Sequence, residues 1–238
     1  MQILGRNPVL EALKSEMKLK KILVKQGELD IKLQEIIDLA NKKGVSVSIK
    51  SKKYLNKISE HPLHQGVIAL AEDVRQPGLN ELLNDLERKN IEPFLIFVRD
   101  AQNEANIGAI IRTAEAAGAH ALLLPPKLKV SPVMVRSSMG ATAHLPVINT
   151  NLFQSIKEVQ NRNIRVVGIE MNGTKFHYEE ALKGPLMLIV GGEDKSLSKE
   201  LQDKCDAVVK IPMKGKVNSL NMSVAAAIVI YEKLRQEA

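Results

Sequence analysis

From residue 94 to the C-terminus the chain alternates short apolar runs with stretches of helical periodicity, which constrains the fold more than any other feature. FLIFV, HALLLP, IRVVGIE, PLMLIV and AVVKIP read as strands, and NIGAIIRTAEAAG and NLFQSIKEVQNRN as helices. Strands that are apolar at nearly every position must be covered on both faces. The expected fold class is therefore α/β, with a mostly parallel sheet between helices. The closing helix, within SLNMSVAAAIVIYEKLRQ, is apolar nearly all round from Met222 to Tyr231. A helix without a polar face needs burial on both sides, which points to a subunit interface or an unusually deep tuck.

Residues 1–75 read as a smaller α/β unit. NPVLEALK and DIKLQEIIDLANKKG carry helical spacing, and the second closes on a Lys-Lys-Gly stop. KKILVK, VSVSI and GVIALAE read as strands. Residues 76–92 open on Pro-Gly, close near Pro93 and hold a short charged helix, LNELLNDLERK. They read as a linker whose helix could belong to either side, and residues 93–238 as a second domain.

Composition narrows the function classes. The 34 Lys+Arg against 27 Asp+Glu give a net charge of +7, which suits a polyanionic partner and equally suits plain solubility. Aromatic residues are only 3% and tryptophan is absent, so RNA binding would rest on shape, phosphate and backbone contacts more than on base stacking. No apolar run approaches the roughly 20 residues of a spanning helix, and no signal peptide is evident. With a single cysteine, Cys205, the expected location is cytoplasmic.

Three segments stand out. The first, residues 103–118, enters a helix where Asn106 could be the N-cap. Arg112 falls off its apolar stripe. It could be a solvated side chain paired with Glu115, or a ligand-facing cation beside the carboxyl edge of a sheet. The second, residues 188–197, runs from a buried strand into Gly191-Gly192-Glu193; glycines there let a ligand approach the backbone, though a plain turn with a capping acid explains them too. It is neither a dinucleotide fingerprint nor a nucleotide P-loop. The third, residues 209–227, leaves a strand at Ile211-Pro-Met213 and enters the last helix through Asn218, Ser219, Leu220 and Asn221. One helix cap at Asn218 or Ser219 does not account for the whole polar run.

Together, in order and spacing, these segments resemble the three signature motifs of the SpoU class of SPOUT RNA methyltransferases. SSMGATAHLPV, residues 137–147, resembles that family's middle segment. GRNPVLEAL and HQGVIAL resemble the ribosomal-L30-like substrate-binding domain of one branch, which methylates a guanosine 2′-hydroxyl in large-subunit ribosomal RNA. Two positions depart from the family pattern: Asn103-Glu104 stands where Asp-Pro is usual, and Ser196 where glycine is common.

The resemblance implies a trefoil-knotted catalytic domain, S-adenosylmethionine as cofactor and a homodimer formed through the knotted domain. It implies cofactor contacts at Gly191, Gly192, Ile211, Met213 and Leu220. It implies catalytic roles for Arg112, Asn106, Glu193, Ser219 and Asn221, with Arg112 stabilising the developing alkoxide. Arg6, Lys18, Lys20 and Lys21 become candidate RNA contacts. His61 and His64 have no acid or cysteine close by, so no metal site is expected. Within the class the alternative substrate is transfer RNA. Outside it, the alternatives are a catalytically quiet RNA-binding factor for ribosome assembly and a Rossmann-type small-molecule enzyme, the latter lacking a glycine-rich dinucleotide turn.

Overall fold

The computed structural model describes residues 1–72, 77–99, 102–191, 197–216 and 219–238. The chain divides into two compact units, Met1–Arg75 with Val130–His144, and Gln76–Lys129 with Leu145–Ala238.

The first unit holds a four-stranded sheet of β1 (Gln2–Leu4), β2 (Leu19–Lys25), β3 (Ser46–Lys50) and β4 (Val67–Ala71), in the order β1-β4-β2-β3. Only the β2–β3 pair is parallel. Alternate residues of β2 serve opposite faces, as strand geometry requires. Ile22 and Val24 pack with α1 (Arg6–Lys14) and α2 (Ile31–Lys42), while Leu23 packs with Leu55 of α3 (Lys52–Ile58). Asp30 and Ser51 cap α2 and α3 through their side chains.

The later segment in this unit carries α6 (Pro132–Ser137) and a 3-10 turn at Ala141–Ala143. Val130, Val135 and Ala143 pack into the same core as Val9 and Leu13 of α1. The turn is reached through Gly140, whose φ is +100°, and a Cβ there would lie 2.6 Å from the Glu11 Cβ. His144 Nε2 meets Glu11 Oε2 at 3.2 Å. So the Ser-Met-Gly-Ala segment, read from the sequence with the second domain, folds against the first helix of the chain.

The second unit is built on a seven-stranded sheet, parallel throughout. Its strands are β5 (Phe94–Val98), β6 (Ala121–Leu124), β7 (Val147–Asn149), β8 (Arg165–Ile169), β9 (Lys175–Phe176), β10 (Leu186–Val190) and β11 (Ala207–Lys210). Their order is β7-β6-β5-β10-β8-β11-β9. α4 (Leu79–Arg88), α7 (Leu152–Gln160) and α8 (Lys199–Gln202) cover one face, where Leu83, Ile156 and Leu201 join Leu95, Phe97 and Met187. The helix of the linker thus belongs to the second unit. α5 (Glu104–Ala116) and α9 (Met222–Glu237) pack against each other and contact β6, β8 and β10.

The closing helix is not covered by the chain on every side. Met222, Ala226, Val229 and Ile230 are buried, but Val224 and Tyr231 are 47% and 48% exposed, and Leu234 is also open. At helical spacing these three form an apolar stripe that the chain itself leaves uncovered. Among the described residues no helix is long and apolar enough to cross a membrane.

Candidate active site

In a parallel sheet every strand points the same way, so the loops that follow the strands gather at one edge, where α/β proteins bind ligands. The loops after β5, β10 and β11 carry the three motif segments. β10 lies between β5 and β8, at the point where the strand order reverses, and β8 lies between β10 and β11.

A hydrogen bond joins the first and third segments. Asn221 Nδ2 donates to Asn106 Oδ1 at 3.1 Å. Asn221 is the N-cap of α9: its Oδ1 accepts from the Ser223 N–H at 2.8 Å and the Ser223 hydroxyl at 2.6 Å. With that oxygen engaged, the amide nitrogen is left facing Asn106. Ser219 is therefore not the cap, and Asn218 lies outside the described residues. Asn106 is not a cap either; it sits in the first turn of α5, and Asn103 Oδ1 caps that helix by accepting from Ala105 N–H at 2.9 Å. The unusual Asn103-Glu104 pair thus opens α5, with a capping amide followed by an acid at the positive end of the helix.

Arg112 lies further along α5 and is exposed. Among the described residues its guanidinium has no ion pair or hydrogen bond, so the pairing with Glu115 does not form. Ser219 is exposed at the entry to α9. Glu193 and Gly192 lie outside the described residues, while Gly191 is half-buried at the end of β10.

The stretch after β11 has the character of an adenosine site. Met213 is 40% exposed and Leu220 38%, and Ile211 is half-buried. Among the described residues the backbone of Met213 and of Leu220 makes no hydrogen bond. Open apolar side chains beside free N–H and C=O groups fit a flat heterocycle with a polar edge. Ile211, Met213 and Leu220, described residues expected at the cofactor, are compatible in exposure and chemistry with such a group.

Sequence reasoning missed one carboxylate in this region. Glu170 follows β8; its Oε2 accepts from the Leu197 N–H at 2.6 Å and its Oε1 from the Met171 N–H at 3.0 Å. No motif marks it, because its partner lies 27 residues away.

The basic candidates of the first unit separate. Arg6 is engaged, with its guanidinium 2.6 Å from Asp30 Oδ2 and its Nε donating to Gln65 O. Lys18 and Lys20 are exposed and Lys21 half-buried. Lys20 sits where the β2–β4 register slips between Leu19 and Lys21, so plain strand alternation does not place these lysines on one face. His64 is buried and bonded to Asn56 and the Gly66 N–H. Among the described residues no group of three or more His, Cys, Asp or Glu could hold a metal ion. Burial pushes the Cys205 thiol up to about 11, far from a reactive thiolate.

Comparison with known proteins agrees with this geometry. Residues 93–231 match the SpoU rRNA methylase family, and residues 2–77 match the RNA 2′-O-ribose methyltransferase substrate-binding domain. The chain belongs to the SpoU methylase family. It is an RNA 2′-O-ribose methyltransferase with a SPOUT fold and an N-terminal substrate-binding domain. It is 35% identical over 237 residues to YacO of Bacillus subtilis, which is assigned to the TrmH family of tRNA/rRNA methyltransferases; the match covers 98% of this chain and 95% of that one. It is 32% identical over 219 residues to the 23S rRNA (guanosine-2′-O-)-methyltransferase RlmB of Pectobacterium atrosepticum, covering 90% and 89% of the two chains. The crystal structure of the SpoU methyltransferase AviRb from Streptomyces viridochromogenes, in complex with AdoMet, superposes with a TM-score of 0.82 at 25% identity, covering 100% of this chain and 90% of that one.

Proposed function

We propose that the protein methylates the 2′-hydroxyl of a guanosine in large-subunit ribosomal RNA, using S-adenosylmethionine and acting as a homodimer. The observation that carries this reading is the bond between Asn106 and Asn221, which ties the first motif segment to the third at the carboxyl edge of the sheet. The likeness to RlmB along both units, including the substrate-binding domain, favours ribosomal over transfer RNA. The uncovered stripe of Val224, Tyr231 and Leu234 supports a second copy seated on α9. The insertion of β10 between β5 and β8 supports the knotted path implied by the resemblance.

The bound cofactor supplies a methyl group on a positively charged sulfur, already an electrophile. The residues of the chain then have to place the ribose and ease loss of its hydroxyl proton. Arg112 does the second. A guanidinium keeps its proton, so it acts through charge, lowering the energy of the forming alkoxide and holding the neighbouring phosphate. Asn106 and Asn221 fix the start of α5 against the start of α9, which sets where Arg112 stands relative to the cofactor loop. Ser219 and Glu193 orient the ribose. Met213, Leu220 and Ile211 receive the adenine, with Gly191 and Gly192 allowing close approach. Exposed Lys18 and Lys20 are the phosphate contacts of the substrate-binding unit.

The test is transfer of label from S-adenosylmethionine to unmodified large-subunit RNA and to transfer RNA, followed by mapping of the blocked 2′-hydroxyl. Label at one guanosine of ribosomal RNA is expected. Label confined to transfer RNA replaces the substrate, and binding of RNA without any transfer favours an assembly factor.

A further inference from the structure

The geometry points to Glu170 as a positioning residue that shapes the methyl-donor site by anchoring the chain at Leu197 to the end of β8, beside Gly191. This rests on the methyl-donor reading above.

Three observations meet at this carboxylate. Its Oε2 holds the Leu197 amide at 2.6 Å, and Leu197 is the first described residue after Glu193. The same oxygen lies 3.7 Å from where a Cβ on Gly191 would sit, and Gly191 is the last described residue before it. Its other oxygen is taken by the Met171 amide, so both oxygens are committed as acceptors.

Leu197 is seated from every side. Gly168, two residues before Glu170 and on the same face of the strand, leaves room for it: a Cβ there would lie 2.9 Å from Leu197 Cδ1. Gln202 Nε2 donates to the Leu197 carbonyl at 2.7 Å, and the side chain is 2% exposed in the core. Leu197 is thus a fixed post, and Glu170 binds it to the strand between the second and third motif loops. A charge-assisted bond to a backbone N–H is among the stronger hydrogen bonds available for such a task.

The side chain itself needs no contact with the donor. It acts through the backbone of Leu197, so its removal weakens donor binding while RNA, read by the other unit, binds as before. Glutamine keeps one acceptor oxygen and turns an amide N–H₂ toward one of the two donors, so it restores part of the clamp.

Calorimetry of S-adenosylmethionine binding and steady-state methyl transfer on the full chain test this, with Glu170→Ala and Glu170→Gln. Glu170→Ala is expected to raise the donor Kd and KM at least about tenfold, the size set by losing a charged hydrogen bond. Turnover at saturating donor and RNA affinity should hold within about threefold. Glu170→Gln should fall between Glu170→Ala and wild type, and it carries the test if Glu170→Ala does not fold. Donor affinity within about twofold of wild type in both variants overturns the clamp, as does an equal loss of RNA binding. Failure of the wild type to bind S-adenosylmethionine overturns the methyl-donor reading itself, a separate result.

Discussion

Asn221 donates its amide N–H to the Oδ1 of Asn106 at 3.1 Å across a sequence separation of 115 residues. The cap oxygen of Asn221 is spent on Ser223, so the bond is the one use left for its nitrogen among the described residues. The last helix therefore cannot start anywhere else without releasing α5.

Substituting Asn221→Asp separates the two duties. Aspartate caps a helix about as well as asparagine, so stability should stay within about 1 kcal/mol. The N–H donor is lost, and methyl transfer should fall about tenfold, the equivalent of one hydrogen bond used in positioning. Asn106→Ala should fall by at least a similar factor, and the double variant little further than Asn106→Ala alone, because both substitutions break the bond that joins the two residues. Single-turnover rates of the three variants check this.

Arg112→Ala should cost turnover at least about a hundredfold, the scale of losing one charge-stabilising group. Its melting temperature should not move, because among the described residues the side chain has no partner to lose. Turnover near wild type at saturating cofactor would remove Arg112 from the mechanism. Arg112→Lys keeps charge but not the planar fork, and should recover only part of the rate.

Acid should act on Glu232. Hydrogen bonds from Arg235, at 2.7 and 2.8 Å, hold its carboxyl down from 4.5 to about 2. The folded value lies below the unfolded one, so the unfolded chain binds more protons between them. The stabilisation is present above pH 4.5 and is lost as pH falls toward 2. Melting temperatures of wild type and Glu232→Gln across that interval should converge as the pH drops.

Gly140→Ala should destabilise the first unit by more than about 1 kcal/mol, because it forces a side chain onto a positive φ and into a helix. The new Cβ would lie 2.6 Å from the Cβ of Glu11, which cannot retreat without moving α1. Denaturant melts of the full chain measure the loss.

What could be read from the sequence follows the range of the forces involved. β5, β10 and α5 were legible because burial repeats along each element, as in Phe94–Val98 and in Ile107, Ile110, Ile111 and Ala114. The caps were misplaced by two or three residues, since neighbouring polar side chains such as Asn103 and Asn106, or Ser219 and Asn221, can each cap a helix and only tertiary packing chooses among them. β9 is two residues long and carries no period. α9 was legible as an apolar helix that needs a cover, but composition alone does not show which apolar face the chain itself covers and which it leaves open. Glu170 and the docking of Val135 on α1 depend on partners distant in sequence, and no local pattern announces them.

The packing of Val130–His144 with Met1–Arg75 makes the boundary between the two units something other than a seam. The backbone crosses it three times, near residues 75, 129 and 144. A single protease cut near residue 75 would sever the covalent link, yet the N-terminal piece would still be held by packing such as that of Val135 with Val9 and Leu13. Grafting residues 1–75 onto an unrelated enzyme would transplant a module with part of its own core left behind.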